Sequence, residues 1–345
     1  MRSLFLLVLS ILFFSCGNKQ NTENAAVLSD EIQNEFAIVL HGGAGTILRE
    51  NMSDSMQNAY TQKLKEAIST GHQILADGGN ALDAVAATIN ILEDSPLFNA
   101  GKGAVFTHEG RNELDASIME GKNLNAGAVA GIRRIKNPIN LARDVMEKSP
   151  HVMLYGNGAE EFARENGYEM TDTSYFFTQE NYDRLQRIIH QNKTAFSETP
   201  ENNNYKYGTV GCVALDKHGN IAAGTSTGGM TNKRWNRIGD SPIIGAGTYA
   251  NNLTCGVSAT GWGEKFIRSV AAYDISALME YKGLSLQEAA HEVIHNKLPK
   301  MQGDGGIIAI DKYGNIVMEF NTPGMYRAAM NDKGELTVGL FENEE

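Results

Sequence analysis

The 345-residue chain predicts an α+β protein of stacked layers, and two observations lead there. The first is a short internal repeat. Cys212-Val-Ala-Leu-Asp-Lys-His-Gly-Asn-Ile221 parallels Ile307-Ile-Ala-Ile-Asp-Lys-Tyr-Gly-Asn-Ile316. Each copy is an apolar strand, an Asp-x-x-Gly-Asn turn and a second strand, the pattern of a β-hairpin, so two sheets are expected. The second is that strand-like and helix-like segments come in groups. That grouping favours helices segregated onto sheets over alternating βαβ units.

Taken in order, residues 36–40 form an apolar strand that ends in a glycine turn, His41-Gly42-Gly43-Ala44-Gly45. Helical spacing follows over 56–76 and 81–93, interrupted at Gly78-Gly79. Strands are expected around 104–106, 114–119 and 126–132, and helices over 139–146, 159–166 and 181–190. Residues 192–208 read as an exposed, mobile linker, since Ser-Glu-Thr-Pro-Glu-Asn-Asn-Asn has nothing to pack. Directly behind it, Thr209 to Asp216 reads as a buried strand, so the sharpest change of character in the body falls at Gly208-Thr209. Helices are expected again over 264–281 and 286–295.

The N-terminus speaks for the compartment. Arg2, an apolar run from Leu4 to Phe14 and then Ser15-Cys16 make a charged region, a short hydrophobic region and a small residue before a cysteine. The run is too short to span a bilayer, so residues 1–15 predict a signal peptide. Cys16 fits a bacterial lipobox, although Phe13 stands where leucine is commoner. Residues 16–34 then form a lipid anchor and tether, and 35–345 a single domain. The expected location is the bacterial cell envelope, as a lipoprotein facing the periplasm; a soluble periplasmic or secreted protein is the alternative. A formal charge of −11 argues against a nucleic-acid partner, and no basic patch points to a membrane surface, which leaves membrane contact to the lipid. Cys212 and Cys255 lie in strand-like runs and read as buried free thiols.

Three motifs bear on chemistry. Gly224-Thr-Ser-Thr-Gly228 spells a serine-hydrolase elbow, but the elbow needs a helix behind the serine and the residues after Gly228 have no helical pattern. His291-Glu292-Val-Ile-His295 spells a zinc-protease helix. Its nearest third ligand, Glu319, falls in a strand pattern, and Pro299 ends the helix soon after. An amphipathic helix that happens to carry two histidines is the preferred reading. The third motif is the Gly208-Thr209 junction. A threonine hydroxyl needs a base, and cutting before Thr209 would supply an α-amino group with a pKa of roughly 7.7–8.0 on the same residue. The segments Thr225-Ser-Thr227-Gly-Gly229 and Thr260-Gly261-Trp262-Gly263 offer hydroxyl and N–H donors for an oxyanion. Arg237-Ile238-Gly239-Asp240 offers a cation for a carboxylate beside an anion for an ammonium. Together these describe an amidase pocket for an amino acid.

With these segments in place, the chain resembles the plant-type asparaginase/isoaspartyl peptidase family. The resemblance rests on 208–216, 224–233, 237–242, 245–251 and 260–263, and earlier on 41–45, 96–101, 113–117 and 125–131, all in order. It implies an N-terminal-nucleophile hydrolase with a four-layer αββα sandwich, cut by itself between Gly208 and Thr209 into chains 35–208 and 209–345. It implies Thr209 as nucleophile, assisted by Thr227, with Thr260 and Gly261 as oxyanion hole. Arg237, Ile238, Gly239, Asp240, Trp262 and Gly263 would bind substrate, and Asn99 would fix the nucleophile's chain end. Substrates would be asparagine and β-aspartyl peptides, no cofactor would be required, and two cleaved heterodimers would pair. The loop Leu92, Glu93, Ser95, Phe98, Ala100, Lys102 corresponds to a sodium-binding loop, with Lys102 where an apolar residue is expected. Glycosylasparaginase, of the same superfamily, usually has Asp before the nucleophile and Thr-Ser-Thr-Asn-Gly after it, where this chain has Gly208 and Thr-Ser-Thr-Gly-Gly. A zinc protease and a non-catalytic, tethered solute-binding lipoprotein are the readings from other classes.

Overall fold

The computed structural model describes residues 33–194, 208–342 and 344. The expected signal peptide, Cys16 with most of the expected tether, and residues 195–207 of the expected linker lie outside these; residues 192–194 of that linker belong instead to the helix Gln179–Thr194. In chain order the elements are β1 (Ala37–Gly45), α1 (Asp54–Ala76), α2 (Ala81–Glu93), β2 (Leu114–Glu120), β3 (Ala126–Ile132), α3 (Pro138–Lys148), β4 (Met153–Tyr155), α4 (Gly156–Glu165) and α5 (Gln179–Thr194). After the linker come β5 (Val210–Leu215), β6 (Ile221–Thr227), β7 (Thr248–Ala250), β8 (Cys255–Gly261), α6 (Gly263–Ser269), α7 (Ala271–Lys282), α8 (Leu286–His291), β9 (Gly305–Asp311), β10 (Ile316–Phe320), β11 (Gly324–Asn331) and β12 (Leu336–Phe341). Helix starts are marked by side-chain caps: Asn80 accepts from Asp83 N–H at 2.8 Å, and Ser285 forms a capping box with Glu288.

The strands form an eight-stranded sheet in the order β12-β11-β1-β5-β6-β2-β3-β4 and a four-stranded sheet in the order β10-β9-β8-β7. The two repeated hairpins, β5-β6 and β9-β10, fall one in each sheet. Their turns are built alike: Asp216 Oδ1 accepts from the N–H groups of His218 and Asn220, and Asp311 Oδ1 from those of Tyr313 and Asn315, all at 2.9 Å.

Three separate apolar cores identify four layers. Ile38 and Leu40 of β1 face the helices, packing with Leu64, Ile68, Val85 and Ile89, while the alternate residues Ala37 and Val39 face the second sheet. In β9, Ile308 and Ile310 face the first sheet, and Ile307 and Ala309 join Ile275, Val293 and Ile294 of the outer helices. Because both faces of the central strands are covered, they read as continuous apolar runs without alternation. The result is the four-layer αββα sandwich.

Several local expectations are corrected. His41–Gly45 is not a turn: the strand runs on to Gly45, and the glycines absorb a bulge between His41 and Gly43 against β11. The helix expected over 264–281 is two helices, broken at Val270, whose φ is +50°. The one over 286–295 is α-helical only to His291 and continues as a π-helical segment, Glu292–Lys297. Residues 104–106 contribute one isolated bridge, Phe106 to Asn112, instead of a strand. Cys212 and Cys255 are buried and free, and burial pushes both thiols well above their ordinary range.

Candidate active site

Thr209 stands at the head of β5, in the middle of the larger sheet, and is buried. Its Oγ1 donates to Thr227 Oγ1 at 3.1 Å. Thr227, the last residue of β6, accepts the Gly229 N–H at 3.0 Å and donates to the Gly208 carbonyl at 3.1 Å. Asn99 Nδ2 donates to the same carbonyl at 2.7 Å. The orientation of the Asn99 amide is dictated by its other partners, since Nδ2 also donates to Gly229 O and Oδ1 accepts from Val105 N–H. In the uncleaved chain, therefore, the carbonyl before Thr209 is held by two donors while the threonine hydroxyl rests on one of them.

Beneath Thr209 lies a buried residue, His41, to which the sequence reasoning gave no role in the site. His41 Nδ1 is 3.0 Å from the Thr209 carbonyl and Nε2 is 3.0 Å from Ser258 Oγ. Burial pushes the imidazole down to about 3, against the pull of the Thr209 hydrogen bond, so it is neutral. A carbonyl can only accept, which places the proton on Nδ1 and makes Nε2 the acceptor from Ser258. With its one proton given to His41, Ser258 accepts from Thr225 and Thr225 from Thr248, and Ser117 Oγ stands behind them with Thr248 Oγ1 at 2.8 Å and the Ser241 carbonyl at 2.6 Å. These hydroxyls are brought together from β2, β6, β7 and β8, across both sheets, which is why spacing in the sequence carries no trace of them.

A narrow cavity opens beside Thr209, lined by Gly208, Thr227, Gly229, Met230, Arg237, Gly239, Asp240, Ser241 and Gly261. It leaves room for about one water molecule at most. Arg237 is held by Glu264, which takes Nε at 2.9 Å and Nη2 at 2.8 Å; Nη1 donates to no described residue. Asp240 is buried, and its Oδ2 has no partner. Burial pushes Asp240 up to about 7, against the pull of Arg237. A desolvated carboxylate with an empty lone pair beside a half-used guanidinium is complementary to a zwitterion. Gly263 permits this closeness: a Cβ there would lie 2.7 Å from Arg237 Nη2 and 2.9 Å from Asp240 Oδ1.

The structure thus gathers Gly208, Thr209, Thr227, Arg237, Gly239, Asp240 and Gly261 around one space, with Asn99 on the Gly208 carbonyl. Thr260 lies just behind the wall, buried, its Oγ1 accepting from Ala44 N–H at 3.3 Å. Ile238 and Trp262 do not line the cavity; the Trp262 ring carries Lys265 Nζ 4.6 Å from its centroid. Met230, Ser241 and Glu264 were missed in the sequence because they reach the site through loop folding and the first turn of α6, with no recurrent spacing.

The serine elbow is absent. Ser226 lies inside β6, buried, and donates to Glu93 at 2.6 Å. Burial pushes Glu93 up to about 8, against hydrogen bonds from Ser226, Ile139 N–H and Asn137. In the proposed sodium loop, the carbonyls of Leu92, Phe98 and Ala100 already accept from Ser95, Ala100 and Gly103 N–H groups. Ser95 Oγ accepts from Leu97 N–H, and Lys102 Nζ lies 5.4 Å from the Tyr175 ring centroid. The loop's carbonyls suit sodium by donor type, and those of Glu93, Ser95 and Lys102 accept from no backbone N–H among the described residues; the chemistry below uses no metal.

An αββα sandwich with a threonine heading an inner strand, its preceding carbonyl gripped and its hydroxyl paired, defines an N-terminal-nucleophile hydrolase. Residues 34–340 match the family described as Asparaginase. The chain is 52% identical over 309 residues to the isoaspartyl peptidase of Escherichia coli strain K12, covering 89% of this chain and 96% of that protein. It is 50% identical over 310 residues to the isoaspartyl peptidase of Salmonella typhimurium, with coverage of 89% and 99%. An isoaspartyl peptidase/L-asparaginase of Xenopus laevis is 40% identical over 307 residues, at 89% and 96% coverage. The chain belongs to the asparaginase family and is a hydrolase of amide and peptide bonds.

Proposed function

We propose that this enzyme hydrolyses L-asparagine and β-aspartyl peptides through Thr209, after cutting its own chain between Gly208 and Thr209. The observation that carries the reading is the pairing at the junction: Thr209 Oγ1 on Thr227, and the Gly208 carbonyl on Thr227 and Asn99. In the self-cleavage, Thr209 Oγ adds to the Gly208 carbonyl carbon, and the oxyanion is held by Asn99 Nδ2 and the Thr227 hydroxyl. The C–N bond breaks as the hydroxyl proton passes to the Thr209 nitrogen, leaving an ester and a free amine. Water then hydrolyses the ester to a Gly208 carboxylate and a free Thr209 hydroxyl.

The new amine serves as base for the second reaction. It takes the Thr209 hydroxyl proton while Oγ attacks the side-chain carbonyl of an aspartyl unit. Arg237 holds the α-carboxylate and Asp240 the α-ammonium, which orients the side chain toward Thr209. Gly261, with Thr260 behind it, receives the oxyanion. The amine then returns its proton to the leaving ammonia or peptide amine, and water releases L-aspartate from Thr209.

The test is direct. Purified protein should show two fragments on a denaturing gel, the smaller beginning at Thr209 by mass spectrometry. It should release aspartate from asparagine and from β-aspartyl dipeptides. A single intact chain with full activity would sink the proposal. Asn99→Ala should slow self-cleavage by about 10²- to 10³-fold, the usual cost of one oxyanion donor, as followed by fragment appearance over time. Two further expectations belong to the same reading: pairing of two cleaved heterodimers, and an envelope location through lipid on Cys16. Support for the location is the signal-like run in residues 1–15, and the mass of the N-terminal fragment would report the lipid.

A further inference from the structure

The two histidines set aside as a chance feature of a helix have a third partner. His291 is the last residue of α8 and His295 lies one turn on, in the π-helical segment. Their rings stack with centroids 4.6 Å apart and planes at 25°. Glu319 reaches them from β10, in the four-stranded sheet beneath. One ligand atom from each of the three residues lies within 4.8 Å of the others. We infer that His291, His295 and Glu319 form a binding site for a divalent transition metal of the zinc class, apart from the amidase cavity.

The donor set and its surroundings fit that ion. Two imidazoles and a carboxylate suit zinc and its neighbours better than calcium or magnesium, which take oxygen ligands. Zinc binds nitrogen and oxygen at about 2.0–2.2 Å, which puts tetrahedral ligand atoms about 3.3 Å apart. His295 Nε2 and Glu319 Oε2 now stand 2.6 Å apart, so they need only part by less than about 1 Å, and the side chain of His291 must swing in by up to about 1.5 Å. The other carboxylate oxygen, Oε1, accepts from Gln287 Nε2, one turn before His291. That contact orients the ligand from behind, as outer partners do in metal sites. His291 is exposed and the other two are partly buried, so an ion has a way in. A π-helical turn at the histidines adds a local distortion of the kind that recurs at functional sites.

The site is built for holding a metal rather than for hydrolysis. In an HExxH peptidase the glutamate between the histidines faces the metal-bound water. Here Glu292 is partly buried and its Oε2 accepts from Asn296 Nδ2 at 2.6 Å, so its carboxylate is engaged along its own helix. A bound ion would instead pin the π-helical segment to β10. That segment already touches the sheet: Asn321 Nδ2 donates to Ile294 O at 3.0 Å, and Asn321 Oδ1 accepts from Gly305 N–H at 2.8 Å. The staple therefore sits at the join between the outer helices and the small sheet.

The test uses untagged, chelator-stripped full chain, so that no purification histidines compete, titrated with zinc chloride by calorimetry. Expected is one zinc per chain with micromolar or tighter affinity, and a higher unfolding temperature with zinc present. His291→Ala/His295→Ala should weaken binding by at least about 100-fold, and Glu319→Gln by at least about tenfold. Both should lose the zinc-dependent rise in unfolding temperature while unfolding like wild type without metal. A Co²⁺-loaded chain should show visible absorption bands that the double-histidine variant lacks, which reads the ligands without reference to stability. Equal zinc affinity in wild type and double variant would overturn the inference, as would no binding at about 100 μM zinc. None of these readouts depends on Thr209, so the amidase reading stands or falls separately.

Discussion

Thr209→Ala is expected to give a chain that never splits and that turns over substrate at least about 10⁴-fold more slowly, the scale seen when a covalent nucleophile is deleted. Two independent losses meet at this residue. Without the hydroxyl, nothing attacks the Gly208 carbonyl, although Asn99 and Thr227 still grip it. Without the cut, residue 209 keeps an amide nitrogen, so there is neither base nor nucleophile. Thr209→Ser separates the two, because it retains the hydroxyl and should still cut, only more slowly. Denaturing gels over time, with aspartate release measured on the same samples, check both. An alanine variant that splits or hydrolyses β-aspartyl peptides would mean that another group attacks.

Asp240→Asn is expected to lower kcat/KM for asparagine by about 10²- to 10³-fold and, at the same time, to stabilise the protein at alkaline pH. The first effect follows from removing one partner of a desolvated charge pair, which typically costs about 2–5 kcal/mol. The second follows from linkage. Burial raises the folded-state pKa of Asp240 from 3.8 to about 7, so the folded chain favours the protonated form. Stability from this group is complete below the unfolded value and is lost as pH rises toward 7. Above that, the ionised carboxylate costs up to roughly 4 kcal/mol, at 1.36 kcal/mol per pKa unit. Asparagine has no such cost. Measured in a Thr209→Ala background, so that both chains stay uncut, the variant should melt higher than its parent at pH 8 and about the same near pH 4. No stability difference at either pH would refute the buried, unpaired state of Asp240. The same titration predicts that substrate binding by the active enzyme strengthens as pH rises toward 7, because an ammonium group needs the ionised carboxylate.

Asp240 also shows how an active site sets itself against the fold. Its Oδ2 has no hydrogen-bond partner, and Gly263 has no side chain to fill the gap. A substrate ammonium would meet both needs, so the strain is relieved by binding. His41 is the opposite case. Buried and neutral, it satisfies the Thr209 carbonyl and Ser258 together, and so fixes the backbone that carries the nucleophile.

Much of this was legible in the chain. The Asp-x-x-Gly-Asn repeat announced two hairpins because that turn is closed locally, by one carboxylate on two nearby N–H groups. The boundaries of α2 were legible because Asn80 caps its start and its apolar spacing runs without a break. Thr209, Thr227, Arg237 and Asp240 could be named from chemistry and family likeness. Less legible were features where neighbours far apart in sequence outweigh local preference. His41-Gly42-Gly43 looks like a turn, yet His41 pairs with both β5 and β11 and Gly43 to Gly45 pair on with β11, which holds the segment as strand, with the misfit absorbed in a bulge. The helix over 264–281 breaks at Val270, a residue with no turn preference, where Gly245 and Ala246 carbonyls take the N–H groups of Tyr273 and Ala272.

What the sequence determined by itself was the layered α+β class, since local spacing suffices for that; it nominated the Gly208-Thr209 junction and the reacting groups from residue type together with family likeness. Which donors grip the Gly208 carbonyl, which nitrogen of His41 bears the proton, that Glu264 holds Arg237, and that Glu319 meets His291 and His295 were decided only by tertiary structure. Each depends on strands and loops separated by tens to hundreds of residues meeting within hydrogen-bond range, and no local periodicity encodes a distance across two packed sheets.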